Sequence, residues 1–119
     1  MKETRNWTWH IIAAVVILVF LGLHMAIMHL DDLAGWFSTA AGTTHWTNVL
    51  ARSKSTFFAT TYIVLLAAAL YHGLYGLRTI LFELSIGPSA QKLVNGVFWI
   101  AGVCLFAVGS LATIATFAM

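Results

Sequence analysis

Apolar positions are not spread evenly along this chain. They gather in three windows, residues 6–30, 55–77 and 93–119, none of which contains an Asp, Glu, Lys or Arg. Each window exceeds the ~20 residues that an α-helix needs to cross ~30 Å of hydrocarbon. The pattern predicts an all-α membrane protein with three transmembrane helices, about 9–30, 56–80 and 93–117. They form a single transmembrane domain over 1–119, with an outer loop over about 31–55.

The boundaries follow from punctuation. Trp7 and Trp9 suit an interfacial belt at the start of the first span. Asp31-Asp32 closes it. Ser53 and Ser55 precede the second span, which runs to about Leu84 before Ser85-Ile86-Gly87-Pro88 breaks it. Pro88 or Ser89 opens the third helix through Gln91-Lys92. In the outer loop Trp36, Phe37, His45 and Trp46 stand among small polar residues, as in a segment lying on the membrane surface.

Composition agrees. The chain is 61% hydrophobic and 8% charged, against roughly 25% charged in a soluble domain. The net charge of +2 carries no nucleic-acid signal, because the basic residues border membrane helices. Lys2 and Arg5 suit a signal peptide, but the apolar run after them outlasts a 7–15-residue h-region, so a retained helix is expected. With the N-terminus inside, Lys2, Arg5, Arg78 and Lys92 are cytoplasmic, and Arg52 and Lys54 lie outside with Asp31 and Asp32. Four basic residues against two predict an up-down-up arrangement, N-terminus in and C-terminus out. Cys104 lies mid-helix, has no cysteine to pair with, and reads as a small packing residue. Asn95, Gly96, Gly102, Gly109 and Ser110 make the third helix a packing element.

Chemistry concentrates in the histidines. His72 lies about 16 residues into the second span, ~12 Å from its cytoplasmic end. An imidazole in hydrocarbon is costly unless satisfied, and its neutral nitrogen is a good ligand for haem iron. Ala68 and Gly76 share its face, and Ala67, Ala69 and Gly73 add small neighbours, leaving room for a flat, bulky group. The competing reading is a histidine hydrogen-bonded to a neighbouring helix.

His24 lies ~10–15 Å from His72 in depth, from helix rise alone. One iron is not easily shared by both, so either two haems stack across the membrane or only one exists. His29, ~140° around the helix from His24, reads as a boundary histidine or as the outer ligand in place of His24. His10 shares the face of His24 at the cytoplasmic interface, as an anchor or as a partner for a quinone head group or haem propionate. His45 reads as solvated. Glu83, eleven residues after His72, returns almost to its face, and Arg78 lies between them. Arg78 can pair with haem propionates, and Glu83 can hydrogen-bond or pass protons to a quinone. Both also read as boundary residues whose stems snorkel.

The run from His72 through Gly76 to Glu83 resembles the smaller hydrophobic anchor subunit of succinate dehydrogenases and fumarate reductases. That anchor has three spans, no soluble domain and His-x-x-x-Gly in its second helix, with an acidic residue eleven positions after the histidine. Glu83 replaces the usual aspartate, and Leu84 stands where many members carry a quinone-site tyrosine. Leu23-His24-Met25 resembles the first-helix histidine segment of the two-haem anchors.

The resemblance implies a haem b ligated by His72, and a second, farther from the cytoplasm, ligated by His24. It implies a quinone, menaquinone in the two-haem type. The implied partners are a flavoprotein subunit, an iron–sulfur subunit and a second haem-ligating anchor. The chain would then be an enzyme subunit in a bacterial or archaeal inner membrane, with no dicarboxylate site of its own. A haem-free quinone-site anchor, or a three-helix structural or transport protein, are the competing readings.

Overall fold

The computed structural model describes residues 2–35 and 45–119. Apart from short turns, the chain is helical over those residues: α1 (Lys2–Gly35), α2 (Trp46–Ser53), α3 (Thr56–Glu83) and α4 (Pro88–Ala118). The helices α1, α3 and α4 are each long and apolar enough to cross a membrane. They correspond to the three expected spans, but all extend past the apolar windows, most of all α1. At 34 residues, α1 is ~51 Å long, well beyond ~30 Å of hydrocarbon. The charge-free window marks what lipid covers. Helical hydrogen bonding continues past it, through Asp31-Asp32 at one end and back to Lys2 at the other.

The break between α3 and α4 falls where the sequence puts it. Leu84 caps α3, and Ser85 takes φ 57°, the left-handed conformation that glycine normally supplies after a helix. The Ser85 amide reaches back to the Phe82 carbonyl at 3.3 Å. Pro88 then occupies the first turn of α4, where its missing N–H costs nothing. The short helix α2 is an addition to the expected surface segment: Trp46 is exposed and the helix packs on α3 and α4. Trp36 and Phe37 lie outside the described residues.

The middle helix is α3. It packs on both α1 and α4, while α1 and α4 do not touch among the described residues. The contacts pair the helices in opposite sequence directions. His10, Asn6 and Glu3 of α1 meet His72, Tyr71 and Arg78 of α3. On the other side, Leu74 and Leu66 meet Gly102 and Gly109 of α4. Leu66 and Leu74 are two turns apart and seat as knobs on two backbone notches. A Cβ at Gly102 would come 3.0 Å from Leu74 Cδ1, and one at Gly109 would collide with Leu66. Small residues that let backbones approach are how helices associate in lipid, where no hydrophobic force drives them together.

The interior is correspondingly thin. Ala13 and Ala68, each 7% exposed, are the buried apolar residues, and large side chains such as Leu18, Trp99 and Leu111 point outward. Cys104 also faces outward, so the packing role expected for it is not seen within this chain. The notches on α4 lie at Gly102 and Gly109, and Cys104 is ~200° around the helix from Gly102.

Candidate functional site

The face of α3 with the small residues is occupied by α1. His10 and His72 stack with ring centroids 4.1 Å apart and planes 4° from parallel. The notch that admits His10 is Gly76: a Cβ there would lie 3.2 Å from His10 Cε1. Ala68, one turn before His72, is buried. Of the small residues expected to leave room for a flat group, Gly76 therefore seats a histidine of the first span, whereas Gly73 has open space at its Cβ position and Ala67 lines the groove between α3 and α4. Their chemistry was legible in the sequence. Their partner was not, because periodicity gives a face and does not say which helix meets it.

His72 is held by more than stacking. Its Nδ1 lies 3.2 Å from the main-chain carbonyl oxygen of His10, the bond to a neighbouring helix that the competing reading of this residue expects. A carbonyl only accepts, so Nδ1 carries the proton and the lone pair of the neutral ring sits on Nε2. The acceptor is backbone inside α1, and the bond fixes the ring relative to a rigid element. His10 also meets Tyr75 at 5.3 Å, with the rings tilted, and its Nδ1 is shielded from solvent without a hydrogen-bond partner.

His24 sits at a different level. Its ring is edge-on to Tyr62 of α3 at 5.9 Å. Tyr62 precedes His72 by ten residues, ~15 Å along the helix, so the two histidines have the depth separation expected from helix rise. His29 is exposed, and His45 is exposed with its Nδ1 2.9 Å from Thr47 Oγ1.

Arg78 turns away from His72. Six residues on, it lies ~240° around α3. Its Nε donates to Asn95 Oδ1 at 2.6 Å, and its Nη2 is 3.7 Å from Glu3 Oε1. The guanidinium also lies over the Phe82 ring at 4.2 Å, a cation–π distance. Beside it the Tyr71 hydroxyl donates to the Asn6 carbonyl at 3.0 Å, and the Tyr75 hydroxyl reaches Glu3 at 3.5 Å. Arg78 thus links α1 and α4, whose backbones do not come close among the described residues. Sequence reasoning missed Asn95 as the partner of Arg78. An amide within an apolar span was the available signal, since such groups bond across helices.

Two grooves open at this end. One, of about 550 Å³, has Glu83 on its wall with Arg78, Glu3, Tyr75, Trp7 and Phe82. The other, of about 580 Å³, runs between α3 and α4 with Asn6 of α1 at its edge. His72 lines neither.

A helical bundle with three membrane-length helices, a polar cluster at one end and a locked histidine within a span defines a multi-pass membrane protein. No protein-family model, curated protein or solved structure matches the chain.

Proposed function

We propose that the chain is a haem b-binding membrane anchor subunit of a succinate:quinone oxidoreductase, passing electrons between a cytoplasmic iron–sulfur subunit and membrane quinone. The observation that carries this reading is the bond from His72 Nδ1–H to the His10 carbonyl. Metal-ligating histidines characteristically donate their other ring N–H to a carbonyl or carboxylate, which fixes the tautomer and raises ligand basicity. On that test His72 is the residue that would hold the haem iron, through Nε2. When bound, the haem supplies a one-electron relay within the membrane.

The stacked rings support a shared ligand set. Lone pairs of imidazole lie in the ring plane. In two parallel rings face to face, they point side by side and do not oppose one another across an iron. His24 is a level away. The second ligand to the iron held by His72 then comes from a second anchor subunit. His24, or His29 in its place, holds a second haem in the two-haem version. Glu83 borders the groove at the helix ends and is the candidate hydrogen-bonding partner of the quinone, with Arg78 beside it.

In this reading the helices run up-down-up with the N-terminus inside, in a bacterial or archaeal cytoplasmic membrane. The dicarboxylate chemistry belongs to a flavoprotein partner. The test is a reduced-minus-oxidised spectrum of the gently solubilised protein, together with the flavin content of what co-purifies. A b-type α-band and a flavin-bearing partner are expected. A sample with neither removes the proposal.

A further inference from the structure

The groove between α3 and α4 is lined from Ala67 to Arg78 on α3 and from Asn95 to Phe106 on α4. Each stretch covers eleven residue steps, so the groove is ~16 Å long. Its ends differ in chemistry. At one end stand Arg78 and Asn95, with Asn6 and the Tyr75 side chain beside them; Tyr71 lies seven residues in from Arg78, ~10 Å along α3, and the remaining walls are Leu70, Leu74, Phe98, Val103 and Phe106, with Gly102 as part of the floor. The shape is that of an amphiphile with one polar head.

Three observations select among amphiphiles. Charge is the first. Lys2, Arg5, Arg78 and Lys92 gather at this end of the bundle against Glu3 and Glu83, an excess of positive charge. Of the five Arg78 donors, one is used by Asn95, and the contact to Glu3 is long and to a residue 73% exposed, so donors of the planar guanidinium remain for two oxygens of one anion. Depth is the second. Arg78 lies five residues before the end of α3, level with the first turns of α1 that carry Trp7, an interfacial residue type. Length is the third, since ~16 Å matches the ~15 Å of hydrocarbon in one leaflet of a ~30 Å core.

We infer that this groove is a binding site for an anionic phospholipid, with its phosphate on Arg78 and one acyl chain along Leu74, Phe98 and Phe106. The site rests on the membrane spans and on this groove; His72 does not line it, and Arg78 is the one residue it shares with the electron-transfer reading.

Lipid retention tests the assignment. The full chain, with any subunits that accompany it, is exchanged into lipid-free detergent. It is then titrated with phosphatidylglycerol or phosphatidylcholine of identical chains, and bound lipid is counted by native mass spectrometry. Phosphatidylglycerol is expected to be retained about fivefold better, the scale of one basic residue at an anionic lipid.

Arg78→Gln brings it down to the phosphatidylcholine level. Val103→Trp, which fills the tail region, lowers both. Glu3→Gln, at an exposed position that leaves the fold in place, raises phosphatidylglycerol retention by removing a competing carboxylate. Equal retention of the two lipids by the unmodified chain overturns the proposal, as does indifference to Val103→Trp and Glu3→Gln. If a long-chain quinone at equal concentration displaces the phosphatidylglycerol, the groove is a quinone site and the lipid assignment is wrong. The haem spectrum is expected to be unchanged by Val103→Trp, which separates failure here from failure of the electron-transfer reading.

Discussion

His10 and His72 lie face to face, 4.1 Å apart and within 4° of parallel, with the Nδ1–H of His72 directed to the main-chain carbonyl of His10 itself. One residue of α1 thus contributes both a ring to stack on and an acceptor to lock against. The two contributions separate under mutation, because the acceptor is backbone and survives replacement of the side chain.

In the haem-binding reading, His72→Ala abolishes the haem held in the cytoplasmic half, whereas His10→Phe keeps it. Phenylalanine preserves the stack in shape, and the carbonyl is untouched. Haem per protein, measured as the pyridine haemochrome, distinguishes them. Equal loss in both variants would falsify the assignment of the lock to the main chain.

His24 is ~15 Å from His72 along the bundle. If two haems are present, His24→Ala removes one spectral component and His72→Ala the other. Loss of the same single component in both variants rules out the stacked pair.

Arg78 is 19% exposed and bonds to Asn95 at 2.6 Å, whereas Glu3 is 73% exposed at 3.7 Å. Asn95→Leu strands a partly buried cation and is expected to cost about 1.5–3 kcal/mol, the worth of a hydrogen bond to a charged group. Glu3→Gln costs about 1 kcal/mol or less. Unfolding titrations in mixed micelles give the order; a larger loss in Glu3→Gln would mean that the α1 contact, not the α4 contact, holds the guanidinium.

Gly109 meets Leu66, and Gly96 has open space around its Cβ position. Gly109→Leu forces the α3–α4 seam apart at a cost of about 1–3 kcal/mol. Gly96→Leu is expected to leave stability within about 0.5 kcal/mol, as for a surface change. Thermal unfolding in detergent compares the two. Similar losses would show that the seam is not packed through Gly109.

The excess of basic residues at the Lys2, Arg78 and Lys92 end predicts that this end faces the cytoplasm. Thr4→Cys should react with an impermeant maleimide only after the membrane is opened, and Lys54→Cys in intact cells. The reverse labelling pattern would invert the orientation.

The sequence by itself determined the three long helices and the break between the last two, but not where α1 begins and ends, nor α2. Three charge-free windows, the Ser85-to-Pro88 break and the low charge content leave no other secondary structure able to satisfy its backbone in lipid. It also separated His24 from His72 in depth, because helix rise is fixed, but it put His10 at the interface, whereas α1 begins at Lys2 and brings His10 level with His72. What it could not determine is which face meets which helix. Ala68, Gly76 and His72 form one legible face, and that face accepts an open cofactor groove and a packed neighbour equally well. Only the tertiary structure put His10 into the Gly76 notch, turned Arg78 toward Asn95 and left an amphiphile-shaped groove beside Gly102. The reason is physical. Periodicity is a local property of one helix, whereas seating a ring, sharing a carbonyl or opening a groove depends on the distance between two backbones, set by small residues far apart in the chain.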